Sequence, residues 1–141
     1  MDDVRIKLSA LWVARMLTGL QGDVLRFMEP GMMGKIAAGD VDGMPLSDAL
    51  LFVAAMVMLL PIAMVVLSLT LPHRASRWAN LVLAAFFVVF DVVGLPTYAS
   101  AHGVALITAG ILLNLVTAWY AWTWPRTHRP PPGPEEVAPN R

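Results

Sequence analysis

FFVVFDVVG, residues 86–94, sets eight apolar or small residues around a single carboxylate, Asp91. In a water-soluble core strand that carboxylate has no place, because a buried charge needs partners. In a bilayer-crossing helix a charge near the centre costs about 2.5–3.5 kcal/mol on insertion scales, so it turns toward partners inside a bundle. The rest of the chain decides between the two readings.

The 141 residues are 57% hydrophobic and 14% charged, against roughly 45–50% and about 25% in soluble domains. Mean hydropathy is +0.65. A soluble domain of this size buries only about two-thirds of the surface its unfolded chain exposes. Lipid must therefore be the solvent for much of this one. The formal net charge is zero, which excludes a nucleic-acid partner on bulk charge. There is no cysteine, so disulfides, thiol redox chemistry and thiolate metal sites are excluded. The N-terminus does not read as a cleaved signal peptide, because Arg15 interrupts the apolar run and no small-x-small cleavage site follows.

Four segments are long enough to cross a hydrocarbon core, which takes roughly 20 helical residues. They cover about 7–28, 48–71, 76–95 and 102–124. The first is the least apolar, since Arg15, Gln21, Asp23 and Arg26 lie within it. Backbone groups in oil must be satisfied within the segment, so all four read as helices. The expected fold is all-α: a polytopic membrane protein built as a four-transmembrane-helix bundle. Residues 1–124 form the domain, and the proline-rich tail 125–141 reads as disordered.

The segment ends carry suitable chemistry. Glu29-Pro30-Gly31 stops the first helix, and Pro72, Gly94-Leu95-Pro96 and Pro125 stop the other three. Ser47 is a cap for the second, with Asp48 at the positive end of its dipole. Pro61 sits mid-way along that helix and reads as a kink. In the loop 29–47, MMGKIAA reads as a short surface helix. DVDG is only a fragment of a calcium loop, and no metal is expected.

Basic residues set the topology. Arg5, Lys7, Arg74, Arg77, Arg126 and Arg129 fall on one side, and Lys35 with Arg26 on the other. By the positive-inside rule both termini are cytoplasmic and the 29–47 loop faces outward. Trp78, Trp119, Tyr120, Trp122 and Trp124 gather at the same cytoplasmic ends, as a headgroup-level aromatic belt does.

At 100° per residue, polar and small positions coincide on one face of each helix. The first helix places Leu8, Trp12, Arg15, Gly19, Gly22, Asp23 and Arg26 together. The third places Asn80, Ala84 and Asp91 together, and the fourth Gly103, Gly110 and Asn114. Small residues on such a stripe let helices approach closely. The candidate site is therefore an interior seam of Arg15, Asp23, Asn80, Asp91 and Asn114. By a rise of 1.5 Å per residue, Asp23 and Asp91 both lie about 22 Å from the cytoplasmic ends and Arg15 about 12 Å. Asn114 falls near the midplane. Asp91 can pair with Arg15 or Arg26, or share a proton with Asp23. Fold specification alone is the competing role for these groups, above all for Asn80 and Asn114. His73, His102 and His128 fall at membrane borders or beyond and read as surface residues.

LWVARMLTGLQGDVLRFMEPGMMG, residues 11–34, and PIAMVVLSLTLPHRASRWANL, residues 61–81, resemble a family of small bacterial four-helix membrane proteins. That family is a domain of unknown function in the neighbourhood of DoxX-like proteins. The resemblance covers about residues 5–124. It implies a multi-pass protein of the bacterial cytoplasmic (inner) membrane, and it supplies no activity.

Three functional classes stay open. The seam can bind a small lipophilic or amphipathic ligand. The chain can be an accessory or structural subunit with a partner membrane protein. It can also be a proton-coupled exporter working as a homodimer, although no glutamate lies mid-span. Walker, Rossmann, HExxH and Gly-x-Ser-x-Gly signatures are all missing, and no cofactor is expected. The lipid bilayer is the one partner that composition itself demands.

Overall fold

A computed structural model describes residues 3–41 and 43–125. The expectations for the tail beyond Pro125, including Arg126, His128 and Arg129, and the DVDG reading at Asp42 lie outside the described residues. Helix α1 runs Asp3–Phe27, α2 Met32–Ala37, α3 Asp48–Thr70, α4 His73–Gly94 and α5 Ala101–Thr123. A 3-10 turn, Leu95–Thr97, follows α4. Strands β1 (Asp40–Val41) and β2 (Met44–Pro45) pair antiparallel between α2 and α3, with Val41 opposite Met44.

Local chemistry explains the boundaries. The Ser47 hydroxyl accepts from the Leu50 amide at 3.2 Å, which satisfies one open donor at the start of α3. Ser100 does the same for Gly103 at the start of α5. Pro61 is buried inside α3, and the helix continues through it to Thr70. Gly31 joins α1 to α2 with φ +84°, a conformation that other residues adopt only under strain. The short surface helix read in MMGKIAA is α2, and the two-residue hairpin after it is an addition to an otherwise helical chain.

Three helical segments are long and apolar enough to cross a membrane: Asp48–Thr70, His73–Thr97 and Ala101–Thr123. Helix α1 has the length, with 25 residues, but carries Arg15 at its midpoint and Asp23 and Arg26 near its end. It packs against both α3 and α5, and α4 packs against the same two helices. Their outer faces are apolar. Phe52, Val89, Val93 and Trp119 are all more than 60% exposed. Their inner faces are mixed, with Leu8, Trp12, Met64 and Phe87 sharing the interior with Arg15, Asn80, Asp91 and Asn114. Apolar outside and partly polar inside is the arrangement that a hydrocarbon solvent favours.

At the end where α1 starts, two arginines hold helix C-termini. Arg5 Nη1 donates to the carbonyls of Leu69 at 3.0 Å and Leu71 at 2.7 Å. Arg77 Nη2 donates to the Trp122 carbonyl at 3.1 Å. A cation at a helix C-terminus meets open carbonyls and the negative end of the dipole. Trp78, Trp119 and Trp122 are exposed at this end, but Trp124 is buried against Leu8 and Ala121. His73 is half-buried instead of lying free on the surface, its ring 4.6 Å from that of Trp124.

Candidate functional site

Two polar clusters lie in the interior, separated along α4. The first is centred on Asn80. Its Oδ1 accepts from Trp12 Nε1 at 2.7 Å and from the Ser68 hydroxyl at 3.2 Å. Its Nδ2 donates to the Ser76 carbonyl at 2.8 Å and to the Ser76 hydroxyl at 3.4 Å. Both acceptor positions and both donor hydrogens of the amide are thereby used. Sequence reasoning placed Trp12 on the correct face but did not name it as a partner. A Trp buried among helices needs an acceptor for its indole N–H, and that requirement was the available signal.

The second cluster is centred on Asp91. Its Oδ1 accepts from Arg15 Nη2 at 2.6 Å, a charge-assisted bond between two buried side chains. Its Oδ2 accepts from Asn114 Nδ2 at a longer 3.4 Å. The Arg15 guanidinium also lies 5.4 Å from the centre of the Phe87 ring. This cluster is not closed. Arg15 Nε and Asn114 Oδ1 are both buried without a hydrogen-bond partner. An orphan donor and an orphan acceptor beside one ion pair are costly in a low-dielectric interior.

Between the clusters lies an apolar layer of Trp12, Met64 and Phe87, with the Trp12 and Phe87 rings edge-on at 6.0 Å. Asn80 and Asp91 are eleven residues apart on α4, which is about 16 Å of rise. Asn80 therefore belongs to a separate cluster and not to one continuous seam with Asp91.

Missing side chains make the room around the ion pair. A Cβ on Gly110 would stand 3.2 Å from Asp91 Oδ2 and 3.4 Å from Arg15 Cζ. A Cβ on Gly19 would stand 3.1 Å from Arg15 Nη1. The guanidinium thus reaches up α1 toward Gly19, which is how Arg15 meets a carboxylate that counting by rise puts well above it. At Gly103 a Cβ would meet the Tyr98 ring at 2.7 Å, so glycine lets that ring lie against the start of α5.

The ion pair opens on a cavity of about 190 Å³. Arg15, Asp23, Asp91, Phe90 and Tyr98 line it, together with Gly19, Gly22 and Gly103. Asp23 is exposed and stands in this wall. Among the described residues it forms no hydrogen bond or ion pair, so no proton-sharing contact joins it to Asp91. Asp23 also lines a second cavity of about 510 Å³, walled by Phe27, Met32, Ile36, Leu46, Leu50 and Leu51. That space lies under α2 and the hairpin and is almost wholly apolar. Arg26 borders it too, with its guanidinium 5.1 Å from the Tyr98 ring centre. His102 Nε2 meets Glu29 Oε1 at 3.1 Å and ties α5 to the turn after α1. Among the described residues no group of three His, Asp or Glu side chains could hold a metal ion.

Of the five residues proposed from sequence, Arg15, Asp91 and Asn114 come together, Asp23 shares the adjoining cavity, and Asn80 stands apart. Residues 1–128 match the model of a family described as a family of unknown function, DUF6326, and the chain belongs to that family. No curated protein and no solved structure matches it.

Proposed function

Starting from a family without an assigned activity, we propose that the chain is a four-crossing protein of the bacterial cytoplasmic membrane that binds a small amphipathic ligand. One observation carries the ligand reading: a polar cavity on a buried ion pair and a larger apolar cavity share the Asp23 wall. Ligand sites combine an apolar lining with a few convergent polar groups, and the larger cavity falls in their usual range of roughly 300–1,000 Å³. The polar end of a ligand would sit by Arg15, Asp23 and Asp91, and its apolar part under α2 and the hairpin.

The fourth crossing is α1. Its charges support this role because Arg15 turns inward to Asp91, while Arg5 holds the end of α3. Arg5, Lys7, Arg74 and Arg77 at one end argue for cytoplasmic termini. The chain has no cysteine, so single introduced cysteines report topology without background. Lys35→Cys should react with an impermeant maleimide added to intact cells, and Arg74→Cys only after lysis. The reverse pattern would overturn the orientation. The two stretches quoted for the resemblance also support a place near the DoxX-like proteins.

Thermal unfolding of the detergent-solubilised protein, with native mass spectrometry, tests the ligand reading. Amphiphiles with a twelve-carbon tail should raise the midpoint and appear as a one-to-one adduct. No shift and no adduct with any head group would overturn it. A second reading, an accessory subunit, draws on the exposed Met28, Met33 and Met44 near α2 and the hairpin, since methionine surfaces adapt to varied partners. A stoichiometric membrane partner retained in mild detergent would favour it.

A further inference from the structure

This inference rests on the amphipathic-ligand reading and goes on to the charge of the head group. Three formal charges stand in the wall of the 190 Å³ cavity: Arg15, Asp91 and Asp23. Arg15 and Asp91 neutralise one another at 2.6 Å. Asp23 makes no direct hydrogen bond or ion pair among the described residues, and the charges of Arg26 and Arg15 act on it only from a distance. The nearest further cation is Arg26, one turn on. It borders the apolar cavity and a smaller outer one, but not this cavity. Its guanidinium is turned onto the Tyr98 ring at 5.1 Å.

The aromatic lining points the same way. Phe90 and Tyr98 stand in the wall with Asp23. Aromatic faces attract cations and offer nothing to anions. Arg26 over Tyr98 and Arg15 over Phe87 show that rings at this end already serve that purpose. The Arg15 Nε–H is buried without a partner on the side that faces Gly110, away from the cavity wall, and offers nothing to the head group. An anionic head would have to displace Asp91 from Arg15, and the freed carboxylate would then be buried unpaired.

We propose that the site selects amphiphiles with a cationic head, an amine or quaternary ammonium on an alkyl chain, with Asp23 as the counter-charge. The head enters the cavity of Asp23, Phe90 and Tyr98, and the chain lies in the apolar cavity beneath α2.

The test uses the full chain in a neutral maltoside detergent and three probes of one tail length: dodecyltrimethylammonium, dodecanoate and 1-dodecanol. Affinity is read by titration calorimetry. The cation should bind about fivefold more tightly than the other two, a preference of the size one partly screened charge contact provides. Asp23→Asn should remove that preference, bringing the affinity for the cation down to that for 1-dodecanol. Asp48→Asn, at an exposed carboxylate that lines neither cavity, should keep it. Equal affinity for all three probes overturns the cation proposal and leaves the amphiphile reading standing. So does an equal loss in both variants, which would mean diffuse surface charge. Absence of binding by any probe overturns both.

Discussion

Asn80 and Asn114 are both fully buried, on facing helices of one interior, and their surroundings differ completely. Asn80 uses every hydrogen-bonding position it has, with Trp12, Ser68 and Ser76. Asn114 makes one long bond to Asp91 and leaves its carbonyl oxygen without a partner. A closed network binds helices together and has nothing left to offer a ligand. An open one beside a cavity retains unspent hydrogen-bonding capacity. Burial of a polar residue therefore does not by itself mark a site in this protein. The unmet valences of Asn114 and Arg15 stand instead with an ion pair whose two side chains line the cavity.

The comparison breaks most visibly at the ion pair. Arg15→Met should cost about 3 kcal/mol of unfolding free energy, because it leaves Asp91 buried without its cation. Arg15→Met/Asp91→Leu should recover most of that loss, and denaturant unfolding in micelles reads both. A double variant no more stable than the single one would mean that the pair holds the fold together. Asn80→Ala should cost about 2 kcal/mol by orphaning the Trp12 indole N–H and the Ser68 hydroxyl, with amphiphile affinity unchanged. Gly110→Ala brings a methyl to 3.2 Å from Asp91 Oδ2. It should cost about 1 kcal/mol by overpacking and weaken amphiphile binding severalfold. Asn114→Ala should cost well under the Asn80 value, about 0.5 kcal/mol, since its one bond is long. If Asn114→Ala proves as damaging as Asn80→Ala in the same unfolding assay, the distinction between the two clusters fails.

The positions of the long helices could be read from the sequence because oil imposes so few solutions. Long apolar runs bounded by proline and glycine fix where α3, α4 and α5 lie to within a few residues. The Arg15–Asp91 contact was one of three partnerships open to Asp91, and the face shared by Trp12 and Arg15 made it reachable. The cavity was not legible. It depends on Arg15 reaching toward Gly19 and on the empty Cβ positions at Gly19 and Gly103, which are matters of rotamer and close approach that periodicity does not encode. The rise argument put Asn114 lower than Asp91, yet their side chains meet at 3.4 Å. The hairpin was overlooked because DVDG was weighed as part of a calcium loop, although an Asp-Gly pair is also a turn signal between short strands.

The layer of Trp12, Met64 and Phe87 has an electrical consequence. In the proposed membrane setting, the ion pair and the serine–asparagine network are the two halves of the polar interior, one on each side of this layer. The rings and thioether between them insulate one half from the other, so the chain can hold charges within the bilayer without discharging the potential across it.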